Sequence, residues 1–323
     1  KTVGNVGAYM KKVLITGSSG MIGQSFLKLI KRDPDYLILA PSSKELNLLN
    51  FTDVSNYFEE NTPQIVIHFA AIVGGIKANF SYPTKFIFEN TQMQNNIMHN
   101  SMLNGVEKLL FPGSACAYPT NARQPVKEIE ILKGPIEVTN AAYAMAKLNG
   151  ITLAQSIATE HNIKVILPMI TNAYGLGDKY DEENSHVIPS LIKRFHHAKE
   201  TGDSEVTLWG TGKPLREFIF SEDIATALVF LLENYNSKKI INVGSGEEVT
   251  IEQLAKKIAT VIGFNGQLKF DPTKPDGVKR KCLDCSKLLG LGWQPSISLD
   301  DGLEITYRNY LNTFRKRGFK DNL

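Results

Sequence analysis

Lys12–Gly23, KVLITGSSGMIG, is the stretch from which the fold is read. A run of β-formers, Val13 to Ile15, stops at Gly17, Gly20 and Gly23, and a helical pattern follows from Gln24 to Lys31. Strand, tight turn and helix in that order make a dinucleotide-binding unit. Gly17 lets the chain turn, Gly20 lets backbone approach a ligand, and Gly23 lets the helix pack on the sheet, so that a pyrophosphate can sit at the helix's positive N-terminus. Three glycines alone arise by chance. Their place after the first strand of a long α/β chain favours the binding role.

Outward from that turn, 323 residues allow one large or two modest domains with a sizeable core. The 36 basic and 33 acidic residues leave a net charge of +3, too balanced for bulk attraction to nucleic acid or a membrane surface. No apolar run reaches membrane-spanning length and no signal-peptide pattern opens the chain, so a cytosolic protein is expected. Residues 1–9 fit no element and read as a remnant ahead of a natural start at Met10. Cys116, Cys282 and Cys285 are an odd count with no disulfide framework, which suits a reducing compartment. Cys282 and Cys285 form a single C-x-x-C with no second pair to complete a zinc site, so no metal is expected.

Tyr36–Ala40 reads as a second strand, ending in Pro41, Ser42, Ser43 and Lys44. Small polar and basic residues here leave room for a 2′-phosphate, where an acidic residue would hold the ribose hydroxyls of NAD, so NADP is favoured. The competing role for Lys44 is a solvated loop charge. Thr52–Glu60 reads as a short helix, and Gln64–Ala70 as a strand covered on both faces, with His68 in its core. Ala70, Ala71, Gly74 and Gly75 then permit close approach at that strand's C-terminal end. Phe86–Asn104 is a long helix in which Phe88, Gln92, Asn95 and His99 recur near helical spacing, a face suited to a partner subunit or to the chain's own core. Lys108–Pro112 is another strand, delivering Ser114 and Cys116 at its edge.

Tyr143 and Lys147 share one face of a helix running to about Glu160. Y-x-x-x-K is a frequent accident, but beside the glycine turn and Ser114 it becomes a catalytic constellation. A lysine ammonium lowers a phenol's pKa, and a serine hydroxyl can share the substrate oxygen. Lys164–Pro168 is the next strand and Thr171–Gly175 a loop beyond it. A smaller region follows, with a polar Tyr180–Ser185 segment, a helix over Val187–Lys199 and a strand over Val206–Trp209. It carries His186, Arg194, Trp209 and Arg216, and arginines with an aromatic ring suit a substrate with phosphates and a base. Asp223–Glu233, Ile251–Val261 and Leu303–Phe314 read as helices, and Lys239–Val243 as a strand returning to the main sheet. Lys274–Lys281, KPDGVKRK, reads as a basic loop that could border a phosphate site.

Gly17, Gly20 and Gly23 with Ser114, Tyr143 and Lys147 resemble the extended short-chain dehydrogenase/reductase superfamily. GGIKANFSYPTKFIFEN, GSACAYP, NSHVIPSLIKRFHHAK, WGTGKPLREF and KPDGVKRK resemble, within it, the GDP-L-fucose synthases, over nearly the whole chain from Met10. The resemblance implies an α/β protein with a Rossmann-type doubly wound parallel sheet and a smaller C-terminal α/β substrate domain. Residues 10–173 with about 218–244 would bind NADP(H), and 174–217 with about 245–323 the GDP-sugar. It implies a ketone-directed double epimerisation with Cys116 as base and His186 as acid, then an NADPH-dependent reduction served by Ser114, Tyr143 and Lys147. Cofactor positions carried over are Gly17, Ser19, Gly20, Met21, Ile22, Gly23, Ser43, Lys44, Leu48, Ala70, Ala71, Lys147, Ile170, Asn172, Ala173 and His186. Those for the sugar nucleotide are Asn172, Arg194, Trp209, Arg216 and Asp276. A homodimer through the long helices is also implied.

Three positions depart from that pattern. Ser18 and Ser19 stand where a basic residue is frequent, which removes part of the usual 2′-phosphate grip. Ala115 replaces a frequent serine and Ala142 a frequent proline, and both could adjust the sugar pocket, as could Asn184. Two alternatives stand beside the main expectation: the same chemistry on another GDP-4-keto sugar such as a heptose, and a non-catalytic NADP-binding protein of this fold.

Overall fold

Four consecutive buried residues, Val13–Thr16, make the first strand a central one, because only a strand covered on both faces buries every side chain. The computed structural model describes residues 10–181, 185–274 and 276–317. Residues 1–9 and the pocket position Asn184 lie outside these. The first half runs β1 (Lys11–Thr16), α1 (Met21–Ile30), β2 (Tyr36–Leu39), α2 (Phe51–Asn61), β3 (Ile65–His68), α3 (Ile76–Ser81), α4 (Pro83–Leu103), β4 (Lys108–Leu110), β5 (Gly113–Ser114) and α5 (Ala141–Glu160). Three short strands follow in one extended run, β6 (Lys164–Ile166), β7 (Pro168–Ile170) and β8 (Asn172–Tyr174).

The main sheet is parallel throughout, in the order β2-β1-β3-β4-β6. Beyond the bends at Phe111–Pro112 and Leu167 it continues as β5 beside β7. Side chains of alternate residues supply two cores, one on each face. Leu14, Val66, Leu109 and Val165 belong to one, and Val13, Ile15, Ile67 and Ile166 to the other. Helices cover both, α4 and α5 on the first and α1 and α7 (Ser221–Asn234) on the second. This is the doubly wound arrangement expected from the sequence.

The remaining elements are α6 (Val187–Thr201), β9 (Glu205–Trp209), β10 (Leu215–Phe220), α7 already given, β11 (Ile241–Val243), β12 (Glu248–Thr250), α8 (Ile251–Ile262), β13 (Gln267–Asp271), β14 (Arg280–Lys281), α9 (Ser286–Gly290) and α10 (Leu299–Arg317). β11 returns to pair in parallel with β7, as the sequence suggested. β10 is the hub of a second sheet, with β8 and β14 parallel to it and β12 antiparallel. A third apolar cluster, including Phe195, Phe218, Leu254 and Tyr310, packs against this part.

Two expected loops are strands. Asn172–Tyr174 pairs with Phe218–Phe220, and Arg280–Lys281 with Leu215–Arg216. Three polar or mixed residues carry no strand signature of their own; the distant partner strand β10 supplies the hydrogen bonds that make them strands. α4 divides its residues between two faces. Phe88 and His99 are exposed, whereas the fully buried amides Asn90, Gln94, Asn96 and Asn100 each hold backbone or side-chain partners. Among the described residues no helix is long and apolar enough to cross a membrane.

Candidate active site

The glycine turn is shaped by its own backbone. Gly17 has φ +69°, and a Cβ on it would come 2.4 Å from the Ala70 nitrogen; a Cβ on Gly23 would lie 2.2 Å from the Gly17 carbonyl oxygen. Both must be glycine for the protein to close on itself. Gly20 differs: it is exposed, and the nearest atom to its Cβ would be at an ordinary 3.4 Å. It also precedes α1, which has neither a side-chain cap nor an acidic residue in its first turn. The positive end of α1 is therefore left open to an anion. Met21 and Ile22 begin this helix, with Ser19 exposed before it. Ser43 and Lys44 are exposed beyond β2 and Leu48 is half-buried.

Ala70 and Ala71 leave β3 beside the turn, and the loop they start is clamped by Asn90 of α4. Its side chain accepts from the Ile72 nitrogen at 2.7 Å and donates to the Ile72 carbonyl at 3.0 Å, acting as a strand partner would. Farther on, a Cβ on Gly75 would come 2.7 Å from the Ser185 carbonyl. That contact brings the start of α6, His186, to the same edge. His186 remains open to solvent, and desolvation followed by the charge of Lys179 lowers its pKa below the ordinary value.

Ser114 ends β5, beside Ile170 in register. Its hydroxyl accepts from the Cys116 nitrogen at 3.2 Å and hydrogen-bonds the Tyr143 side chain. Tyr143 lies edge-on to Phe86, with ring centroids 6.4 Å apart. One turn along α5, buried Lys147 donates to the Pro112 carbonyl at 2.9 Å and sits 4.6 Å from the centre of the Phe111 ring. α5 can approach this closely because Gly150 faces Phe111 and Gln94 ties α4 to the Ala146 carbonyl. Behind them His68 is fully buried, bonded to Thr16 at 2.7 Å and stacked on Phe111. Burial and then Lys147 push its pKa down to about 3, so it is neutral, as a core histidine should be.

The electrostatics of the tyrosine differ from expectation. Burial pushes the Tyr143 phenol up, Cys116 pushes it further, and only the Ser114 hydrogen bond opposes them; Lys147 does not lower it. Burial instead pulls Lys147 down to about 8. With 5.9 Å between its nitrogen and the centre of the Tyr143 ring, the lysine does not touch the phenol face closely enough to offset burial. Burial thus keeps the Tyr143 phenol in its protonated, neutral form.

The second cluster gathers at β9 and β10. Trp209 is 69% exposed at the end of β9, with the Lys274 ammonium 5.7 Å from its ring centre. Arg194 of α6 donates to the Thr207 carbonyl of β9. Asp276 spends both oxygens on Thr211, accepting from its nitrogen at 2.6 Å and its hydroxyl at 2.7 Å, so it fastens the loop beyond Trp209. Arg216 is half-buried on β10 near Asp276 and Glu137. Asn172 donates to the Glu217 carbonyl at 2.7 Å, and Ala173 pairs with Ile219.

Sequence reasoning missed two residues here. Glu217 is fully buried, and its carboxylate accepts from the Gly246 nitrogen at 2.8 Å and the Leu283 nitrogen at 2.9 Å. Lys281 stands beside Arg216 in register, and its ammonium reaches the Cys116 sulfur at 3.3 Å. Neither contact has a local signal, since the partners are 66 and 165 residues distant. Cys282 and Cys285 are buried, and burial pushes both thiols up, Cys282 to about 12.

Residues 13–244 match the model of the NAD dependent epimerase/dehydratase family. The chain is 45% identical over 306 residues to GDP-L-fucose synthase 1 of Arabidopsis thaliana, covering 95% of each. Among solved structures it is similar to a GDP-6-OMe-4-keto-L-xylo-heptose reductase from C. jejuni, with TM-score 0.88 and 30% identity over 95% of this chain and 99% of that one. It is also similar to a GDP-L-fucose synthetase from Naegleria fowleri bound to NADP, with TM-score 0.84 and 28% identity over 94% and 95%.

Proposed function

The chain belongs to the NAD dependent epimerase/dehydratase family, and we propose that it converts GDP-4-keto-6-deoxy-D-mannose to GDP-L-fucose with NADPH. The observation that carries this is the meeting of Ser114, Cys116 and Tyr143 at the C-terminal end of β5, in a parallel sheet whose first strand leads into the open N-terminus of α1. One site then holds a hydroxyl donor, a sulfur and a phenol for one sugar ring.

The residues fit the cofactor. Gly17, Gly20 and Gly23 leave a cradle that side chains would fill, and α1 offers uncapped N–H groups to a pyrophosphate. Ser43 and Lys44 face solvent where the 2′-phosphate would lie, and the lysine supplies the positive charge that Ser18 and Ser19 do not. Bound there, NADPH supplies the hydride for carbon 4.

A ketone at carbon 4 acidifies the hydrogens on carbons 3 and 5 alike, so one base and one acid beside the ring can invert both. At each of the two carbons Cys116 sulfur takes the proton and His186 gives one from the opposite face; between the two inversions the thiol passes its proton to water and His186 takes one up. Ser114 donates a hydrogen bond to the carbon-4 oxygen while it carries enolate charge. Tyr143 gives its proton to that oxygen during reduction. A phenol kept above its usual pKa by burial suits this role, because it arrives protonated. Lys147, one turn along α5, would hold the nicotinamide ribose and bring a positive charge to the site. Arg194, Arg216 and Trp209 orient the nucleotide, so that the sugar, with few polar handles for orientation, is presented in one pose.

We place the cofactor on residues 10–173 with about 218–244, and the sugar nucleotide on 174–217 with about 245–323. The passage of one extended run from β7 into β8 supports that division. Exposed Phe80, Tyr82, Ile87 and Phe88 on α3 and α4 and Met145 on α5 support a homodimer through these helices. Three free thiols support a reducing cytosolic setting.

The test is to mix protein, NADPH and GDP-4-keto-6-deoxymannose, follow nicotinamide absorbance and identify the product by NMR. GDP-L-fucose is expected. An unepimerised alcohol would remove the roles of Cys116 and His186, turnover confined to a GDP-keto-heptose would reassign the substrate, and no NADPH oxidation would overturn the proposal.

A further inference from the structure

KPDGVKRK reads as a basic loop in the sequence, yet its last two residues, Arg280 and Lys281, form a half-buried strand. Lys281 lies in β14, half-buried, and its register partner on β10 is Arg216. Its neighbour Arg280 is neutralised by Glu248, through three hydrogen bonds between 2.6 and 3.1 Å. Among the described residues no carboxylate forms an ion pair with Lys281, and its ammonium rests on the Cys116 sulfur at 3.3 Å. An ammonium only donates, so the sulfur is the acceptor.

We propose that Lys281 is a positioning residue for the epimerisation base: its ammonium, delivered by β14, holds the Cys116 sulfur in place and favours its anionic, proton-accepting form. The inference rests on the assignment of Cys116 as the base.

The groups around the sulfur support this. From its own segment the Ser114 hydroxyl bonds the Cys116 backbone nitrogen. From α5 comes Tyr143, whose pKa is raised by Cys116 and which is neutral when protonated. From β14 comes Lys281, the cation bonded to the sulfur. The thiolate is the form that accepts a proton, and a lysine is among the neighbours that favour it. When Cys116 takes a proton from carbon 3 or 5, the electron pair of the C–H bond moves into the enolate and the sulfur becomes neutral. The ammonium then faces a neutral thiol and an anionic sugar. When the thiol passes that proton to water, sulfur and ammonium pair again. Because Arg216 stands next to Lys281 in register, the arginine proposed for the nucleotide and the lysine on the base are carried by paired strands. Nucleotide binding and base position are thereby built on one frame.

The test compares the full-length wild type with Lys281→Met and Lys281→Arg. Without substrate, alkylation of Cys116 by iodoacetamide at pH 7, read by mass spectrometry on its peptide, should slow about tenfold in Lys281→Met and recover in Lys281→Arg. With substrate and NADPH in deuterated water, Lys281→Met should lose deuterium uptake at carbons 3 and 5 about tenfold more than it loses NADPH oxidation, and should release unepimerised alcohol. In a Cys116→Ser background, Lys281→Met should cause little further loss of uptake. Equal alkylation rates in the three proteins would overturn the proposal. So would a KM rise with the exchange-to-reduction ratio unchanged, which would make Lys281 a plain phosphate contact. If the wild type neither exchanges nor reduces this sugar, the functional assignment fails, and the alkylation series still reads the lysine–sulfur pair.

Discussion

Replacing Lys147 with Met should make the cofactor-free protein more stable at neutral pH while slowing its chemistry about 10²-fold. Lys147 is 5% exposed, with a backbone carbonyl and an aromatic ring as partners, and burial takes its pKa from 10.5 to about 8. At about 1.4 kcal/mol per pH unit, that difference is worth about 3 kcal/mol. The sign follows from which state binds the proton. Below about pH 8 both states are protonated and the folded protein bears the whole cost. From there to about 10.5 the unfolded chain keeps a proton the folded one has lost, so stability rises with pH. Met has similar length and no charge, but it leaves the Pro112 carbonyl without its donor, a loss of about 1 kcal/mol. The variant should thus gain about 2 kcal/mol at pH 7, or about 4 °C in Tm for a chain of this size. Near pH 10.5 the order should reverse by about 1 kcal/mol. Thermal melts of both proteins without NADPH, run from pH 7 to 10.5, measure this, and reductase assays should show a loss of about 10²-fold. A Lys147→Met protein that melts below wild type at pH 7, or a Tm difference independent of pH, would refute the reasoning.

Three other substitutions test other parts of the structure. Gly23→Ala puts a Cβ 2.2 Å from a backbone oxygen and should lower both Tm and NADPH affinity. Gly20→Ala, with 3.4 Å available, should melt like wild type and lose only affinity, and isothermal titration with melting curves separates the two. Glu217→Gln sets an amide N–H against one of two backbone donors now accepted by the carboxylate, and should cost about 1–3 kcal/mol in denaturant unfolding at pH 7. Because burial raises the Glu217 pKa, the carboxylic acid form is favoured on folding, so wild-type stability from this group is greatest at acid pH and is lost as pH rises through the raised value. Trp209→Ala removes an exposed ring that packs little against the fold, so KM for the sugar nucleotide should rise about tenfold with Tm unmoved.

The parts of this molecule legible in the sequence are those whose cause is local. Gly23 is required by atoms within the turn itself and Gly17 by its own left-handed φ of +69°, and the apolar runs Val13–Ile15 and Ile65–Ile67 announce β1 and β3 as central strands. Tyr143 and Lys147 share a helical face by spacing alone. What the sequence hid is the work of distant partners. Asn172–Tyr174 becomes a strand only because Phe218–Phe220 lies beside it, and Asn90 looks like an ordinary helix amide until its side chain is seen pairing with Ile72 across a loop. The tyrosine is the sharpest case. Its spacing from Lys147 suggests an activated phenol, yet burial raises the phenol and lowers the lysine, because desolvation acts on both groups while their charges stay too far apart to compensate. One-turn spacing on a helix fixes which residues are neighbours; it leaves open how much water surrounds them, and here that second quantity decides the sign. The proposed reduction needs a protonated phenol and the proposed epimerisations a proton-accepting sulfur, two neighbouring groups with opposite requirements. The fold meets both by giving Tyr143 a buried place on α5 and bringing a cation to Cys116 from β14.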